Sequence, residues 1–363
     1  MKAMNDIAWV ATRKGLFELQ RSGDQWRIAR ISFLGEPVSM VLPPVAGGPH
    51  AGRMMAALNL GHFGTKVHAS DDRGASWNEV CTPVFPEQPS NAPGPAWKLV
   101  QIWSLDAAGP TVWAGTLPGG LFRSADYGQS WQLVRSLWDR PERAEWFGGG
   151  YDVPGIHSLC PHPHRHDELL LAVSCGGVWH SGDDAASWSL RCDGLRATYM
   201  PPERADDARI QDPHRVERCT AQPDVLWCQH HNGIWRSTDN ARHWREITAP
   251  VSSFGFAVAA HPSDPATAWF VPAVADQCRV PKDGALVVNH TRDGGETFET
   301  QRSGLPAADC YDLVYRHGLA VAGDGRTLLM GSTGGGLWST SDGGARWHAL
   351  PQRLPPVYAL RFG

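Results

Sequence analysis

Histidine is the residue type with the most chemistry to offer in this chain. Sixteen occur in 363 residues. Setting aside the solvated run PHPHRHDE (161–168), several stand at turn-like junctions: His62 in GHFG (61–64), His157 in PGIHS (154–158), His214 in QDPH (211–214), and His230-His231 in QHHNG (229–233). Imidazole is a common ligand for transition metals. If the fold gathers His62, His157, His214 and His231, they can hold a divalent ion (Mn, Fe, Ni, Cu or Zn). Asp212 or Gln229 would complete the shell or orient a ring from behind. No H-E-x-x-H spacing is present, so this expectation depends on the topology.

Other groups suit acid–base and recognition chemistry. Asp212, Glu36 and Asp152 are candidate general acids or bases, and Arg13 completes the candidate catalytic set. Arg13 and Arg279 can hold an anionic group, and Gln229 and Tyr151 are candidate substrate contacts. Trp97, Trp138 and Trp146 fall in two long connections, 82–98 and 135–155. They are expected to stack on a flat ligand or, equally, to anchor the loops. Gly148-Gly149-Gly150 would let the second connection move.

These residues need a scaffold, and a repeat supplies it. The segments SDDRGASW (70–77), SADYGQSW (124–131), SGDDAASW (181–188), STDNARHW (237–244), TRDGGETF (291–298) and TSDGGARW (340–347) share Ser/Thr, Asp and a closing aromatic. A worn copy, Leu19–Trp26, has Arg21 in place of the Asp. The aromatics stand at 26, 77, 131, 188, 244, 298 and 347, spaced 49 to 57 residues apart. In each box the Asp carboxylate should accept its own turn's N–H groups, Gly should supply positive φ, and the aromatic should cover the hairpin. Short β-branched and aromatic runs precede each box, as in TVWAGT (111–116) and GLFRS (120–124).

About fifty residues per copy, with four strands each, predicts an all-β, seven-bladed β-propeller of four-stranded antiparallel blades. The last run, VYALRF (357–362), supplies the inner strand of the first blade, which 1–31 and 356–363 share. Residues 1–363 are expected to form this one domain. If strands A (inner) to D run in order, the boxes are C–D turns. The B–C turns and D–A connections then lie at the opposite end, with His62, His157, His214 and His231. The inner-strand pair Glu217-Arg218 should line that end or be paired.

Composition bounds the function classes. Net charge is −4, which offers no basic field for nucleic acid or anionic membrane. No apolar run is long enough to span a bilayer, and MKAMNDIAWV does not read as a secretory leader. The eight cysteines form no C-x-x-C pair, so reduced, mostly buried thiols and a cytoplasmic location are expected.

The periodic motif resembles the Asp-box, or BNR, repeat of sialidases, sortilin-type receptors and a photosystem II assembly factor. The segments ATRKGLF (11–17), GHFG, QDPH, QHHNG and YDLVYRH (311–317) are similar to those of bacterial glycosyl hydrolase or exo-sialidase-like propellers. In that group QNHCG stands where this chain has QHHNG, so His231 matches its histidine and His230 departs. The resemblance implies a propeller. Sialidase activity would further require an arginine triad, and the R-I-P element carrying its first arginine is absent.

The functional expectation is a metal-assisted hydrolase or lyase with its pocket opposite the boxes. It would act on a polar, carbohydrate-like small molecule. The rivals are a scaffold holding a protein on that face and a metal-free glycosidase using two carboxylates.

Overall fold

The computed structural model describes residues 4–23, 25–48, 50–92 and 96–363. The start of the predicted first blade and Pro93–Pro95 of the 82–98 connection lie outside them. The chain is an all-β seven-bladed propeller of seven four-stranded antiparallel sheets; its α-helix is one turn, Arg135–Trp138.

Blade 1 pairs Val357–Phe362 with Ile7–Thr12, then Gly15–Ser22 and Gln25–Ser32, so both ends of the chain build one sheet. The inner strands of blades 2 to 7 are Val38–Leu42, Gln101–Ala108, Ile156–Pro161, Pro213–Arg218, Gly255–Ala260 and Leu319–Val321. The chain packs as two compact units, one holding blades 2, 3 and 4 and the other blades 1, 5, 6 and 7.

Burial follows strand position. The B strands are buried on both faces, as in Leu169–Val173 and Ala268–Pro272. Their sequences LLLAV and AWFVP therefore run apolar without alternation. The D strands are two or three residues long in blades 2 to 7 and largely exposed, short enough to resist edge pairing. Six tryptophans are almost wholly buried, Trp113, Trp179, Trp227, Trp235, Trp269 and Trp347.

The boxes have the expected carboxylate geometry. Asp72 Oδ1 accepts from Ser76 N at 2.8 Å and Ser70 Oγ at 2.7 Å, and Ser76 Oγ donates to Oδ2 at 2.6 Å. Asp126, Asp183 and Asp293 repeat the pattern. Two expectations need correction. Positive φ falls on two successive residues, and Ala185 and Ala241 occupy the second position at φ 63° and 64°, so Gly is favoured there but not required. The tryptophan also does more than cover its own hairpin. Trp131 Nε1 donates to Cys81 O at 2.9 Å, Trp188 Nε1 to Ser136 Oγ at 3.1 Å and Trp244 Nε1 to Arg191 O at 2.8 Å. Each reaches the segment leaving the preceding blade, so the box ties blades together.

In the worn copy, Arg21 donates to Asp6 Oδ1 at 2.9 Å and Thr327 Oγ1 at 3.0 Å, a different tie from an Asp turn. All eight cysteines are thiols, and six are buried.

Candidate functional site

A local irregularity of the inner strands positions the key side chains. Six of the seven inner strands shift register against their B strand near the start: at Tyr358, Ser39, Trp103, His157, His214 and, with Ala257, Phe256. A bulge removes its residue from the ladder and re-aims the side chain. It occupies the end of each blade opposite the box.

In blade 5 the bulge presents His214, which is 2% exposed. Its Nδ1 lies 2.7 Å from Gly255 O. A carbonyl only accepts, so Nδ1 carries a proton, which leaves Nε2 as the ring's candidate ligand atom. Phe256, the bulge residue of blade 6, stacks on the imidazole with centroids 4.4 Å apart and planes 9° apart.

His231 comes from the B–C turn of blade 5, its ring centroid 5.4 Å from that of His214 and 4.8 Å from Tyr199. Its turn is fixed from both sides. Gln229 Nε2 reaches Gly233 O at 3.0 Å, Ser253 O at 2.9 Å and His230 O at 3.2 Å. Asn232 accepts from Thr198 N at 2.9 Å and donates to Thr198 Oγ1 at 2.7 Å, which fastens the Tyr199 segment beside His231. His230 turns inward, packs on Trp235 at 4.8 Å and accepts from Asn232 N.

Asp212 is joined to His214 through Pro213 alone. Asp212, His214 and His231 each offer one ligand atom within 4.8 Å of the others, a group of three with metal-ligand chemistry among the described residues. Asp212 is 3% exposed, and its Oδ1 is 3.4 Å from Cys175 N. Beside Phe256 lie two guanidiniums, Arg279 at 5.3 Å and Arg316 at 5.4 Å from the ring centroid. Burial opposes the charge of Arg279, but the hydrogen bonds it makes with Asp276 and Tyr315 hold its pKa above the ordinary value. Phe254 and Tyr315 pack around Phe256 at 5.4 and 5.2 Å.

The expected four-histidine set is therefore not assembled as such. His62 is exposed in a short turn, its ring against Phe63 at 3.9 Å. His157 is buried, with Nδ1 3.0 Å from Ser158 Oγ and its ring 5.4 Å from Trp103. Gln229 is a structural brace rather than a substrate contact, because its amide is consumed by backbone carbonyls. Trp138 and Trp146 are anchors, 3% and 7% exposed. Arg143 lies 3.5 Å over Trp138 and 5.6 Å from Trp146, and Trp97 meets Trp138 edge-on at 5.2 Å. Glu36, Asp152 and Arg13 are exposed and outside the ligand group. Glu217 pairs with Arg215, and Arg218 donates to Asn240. Sequence reasoning missed Tyr199, Phe254, Phe256 and Tyr315. The aromatic segments SSFGF (252–256) and YRH (315–317) beside the predicted inner strands were the available signal.

No protein-family model and no curated protein matches the chain. Solved structures share its fold. An ancestral GH74 enzyme is 15% identical with a TM-score of 0.60 over 90% of this chain, which spans 38% of that enzyme. YCF48 bound to D1 peptide is 15% identical at 0.53, covering 93% of this chain and 88% of its own. A 6-phosphogluconolactonase candidate from Bacteroides uniformis is 11% identical at 0.62, covering 99% and 100%. At such identities the likeness speaks for the fold alone.

Proposed function

We propose that this chain is an Asp-box propeller enzyme acting on a polar, carbohydrate-like small molecule by hydrolysis or elimination. A divalent transition metal held by Asp212, His214 and His231 would assist the reaction. The supporting observation is the convergence of one carboxylate and two imidazoles within 4.8 Å, with the His214 ring oriented by the Gly255 carbonyl. When bound, the metal would polarise a substrate oxygen or activate a water. The chain's own residues do the rest. Gly255 O and Phe256 hold His214, while Gln229 and Asn232 hold the turn of His231. Arg279, over Phe256, places a cation where an anionic substrate group can dock. The box geometry supports the Asp-box reading, and the thiol cysteines suit a cytoplasmic location.

The test is elemental analysis of tag-free protein that has met no chelator. The expected result is close to one Mn, Fe, Ni, Cu or Zn per chain, lost in the His214→Ala/His231→Ala double variant with its circular dichroism unchanged. Protein that stays metal-free after incubation with those ions overturns the metal reading. It would turn attention to a scaffold or a two-carboxylate hydrolase.

A further inference from the structure

The bulge position that presents His214 in blade 5 presents an indole in blade 3. Trp103 is half-buried and rests on Gly155, where a Cβ would stand 2.5 Å from Trp103 Cε3. No other side chain fits at Gly155 without pushing the ring aside. Tyr151, 46% exposed, meets the indole nearly at right angles, with centroids 5.0 Å apart and planes at 83°. His157, at the bulge of blade 4, meets the indole edge-on at 5.4 Å.

Two amides stand beside these rings. Gln101 Nε2 is 3.5 Å from Tyr151 Oη, and Asn59 Nδ2 is 3.4 Å from Gln101 Oε1. Hydrogen bonds at that length are slack, so a ligand hydroxyl can displace either at little cost. Aromatic faces set at an angle, with exchangeable amide donors and acceptors at their rim, match a sugar ring. Its C–H face stacks on aromatics, and its hydroxyls demand donors and acceptors in one plane.

We propose that Trp103 and Tyr151 form a saccharide-binding platform, with Gln101 and Asn59 as hydrogen-bonding partners of the sugar hydroxyls. The choice of ligand rests on the carbohydrate reading above but needs no metal. All the residues belong to blades 2, 3 and 4 or to the connection between blades 3 and 4, so the platform stands as a surface of that unit.

The experiment is saturation-transfer NMR with the methyl glycosides of glucose, galactose, mannose, xylose and N-acetylglucosamine and with their tetrasaccharides. It is run on the full chain before and after chelator treatment. At least one saccharide should receive transfer at its ring C–H protons, with and without chelator. Tyr151→Ala should weaken that binding about tenfold with little change in urea midpoint, because the residue is 46% exposed. Tyr151→Phe should keep most of it, and Trp103→Phe should reduce it. Absence of transfer from the whole panel, or wild-type binding by Tyr151→Ala, overturns the platform. Saccharide binding by protein that never takes up metal leaves the platform standing and sinks only the metal reading. Metal-loaded protein that binds no saccharide does the reverse.

Discussion

Replacing Gln229 by Leu separates a brace from a substrate contact. The side chain is 1% exposed, and its Nε2 faces Gly233 O, Ser253 O and His230 O at 3.0, 2.9 and 3.2 Å. Leucine fills similar space but donates nothing, so three buried carbonyls lose their shared partner. At about 0.5–1.5 kcal/mol per net hydrogen bond, with two N–H groups divided among three acceptors, the cost is about 1–3 kcal/mol. The loss also reaches the ligands. The 230–233 turn carries His231, and the 252–254 segment leads to Gly255, whose carbonyl orients His214. Loosening such supports lowers metal affinity roughly 10- to 100-fold. Urea denaturation reads the first effect, and zinc titration against a chromophoric chelator reads the second. Gln229→Glu, equal in shape but unable to donate, should be no better than Leu. A Leu variant with wild-type stability and zinc affinity, impaired only in substrate binding, would refute the brace and restore the contact expected from sequence.

Other consequences are equally open to measurement. Gly304 and Gly343 have similar φ, 80° and 76°, but a Cβ at Gly304 would stand 1.8 Å from Trp347 O while one at Gly343 meets nothing. Gly343→Ala should cost about 1 kcal/mol of backbone strain, and Gly304→Ala clearly more. Equal losses in urea midpoint would contradict the close approach of Gly304 to Trp347 O. Trp138→Ala should cost roughly 3–5 kcal/mol without touching metal content; intact stability would mean the ring is not an anchor.

Stability should also fall in acid in two windows. Burial, helped by Arg292, lowers His290 from 6.5 to about 4. The unfolded chain therefore takes the proton first, and stability present above pH 6.5 drains away toward pH 4. Bonds from Ser187 and Thr297 hold Asp183 and Asp293 at about 2. Their contribution is complete above the ordinary value of 3.8 and is lost as pH falls through 2. Thermal unfolding across pH should show both slopes, and His290→Gln should flatten only the upper one. A flat wild-type profile from pH 7 to 4 would disprove the buried neutral imidazole.

The sequence was informative where the physics is local. The Asp turn closes within five residues, so its spacing could be counted, and continuous apolar runs such as LLLAV announced strands covered on both faces. Placing His214 and His231 at one end of blade 5 needed only strand order. The rest depended on contacts distant in sequence. The fate of Trp138 is set by Arg143 and Phe85, and nothing in its neighbouring residues distinguishes a ring packed inward from one offered to solvent. Gln229 looked like a ligand contact because the carbonyls that consume its amide include one from residue 253. The bulge is invisible until two strands are paired.

That bulge also explains why the repeat predicts fold so much better than function. The box end of each copy does the same work every time: a carboxylate closes the turn, and in several copies an indole N–H reaches the segment before it. The residue types there repeat because the task repeats. At the other end the backbone irregularity is nearly constant while the side chain is not: Tyr358, Ser39, Trp103, His157, His214 and Phe256 share a position and little chemistry. Ser39 merely donates to Ile102 O at 2.9 Å, yet the same position in blade 5 holds an imidazole oriented by the Gly255 carbonyl. A constant backbone device carrying varied side chains is what a scaffold requires to build an asymmetric site from equivalent blades. The chemistry of this chain is therefore to be sought where its repeat stops repeating.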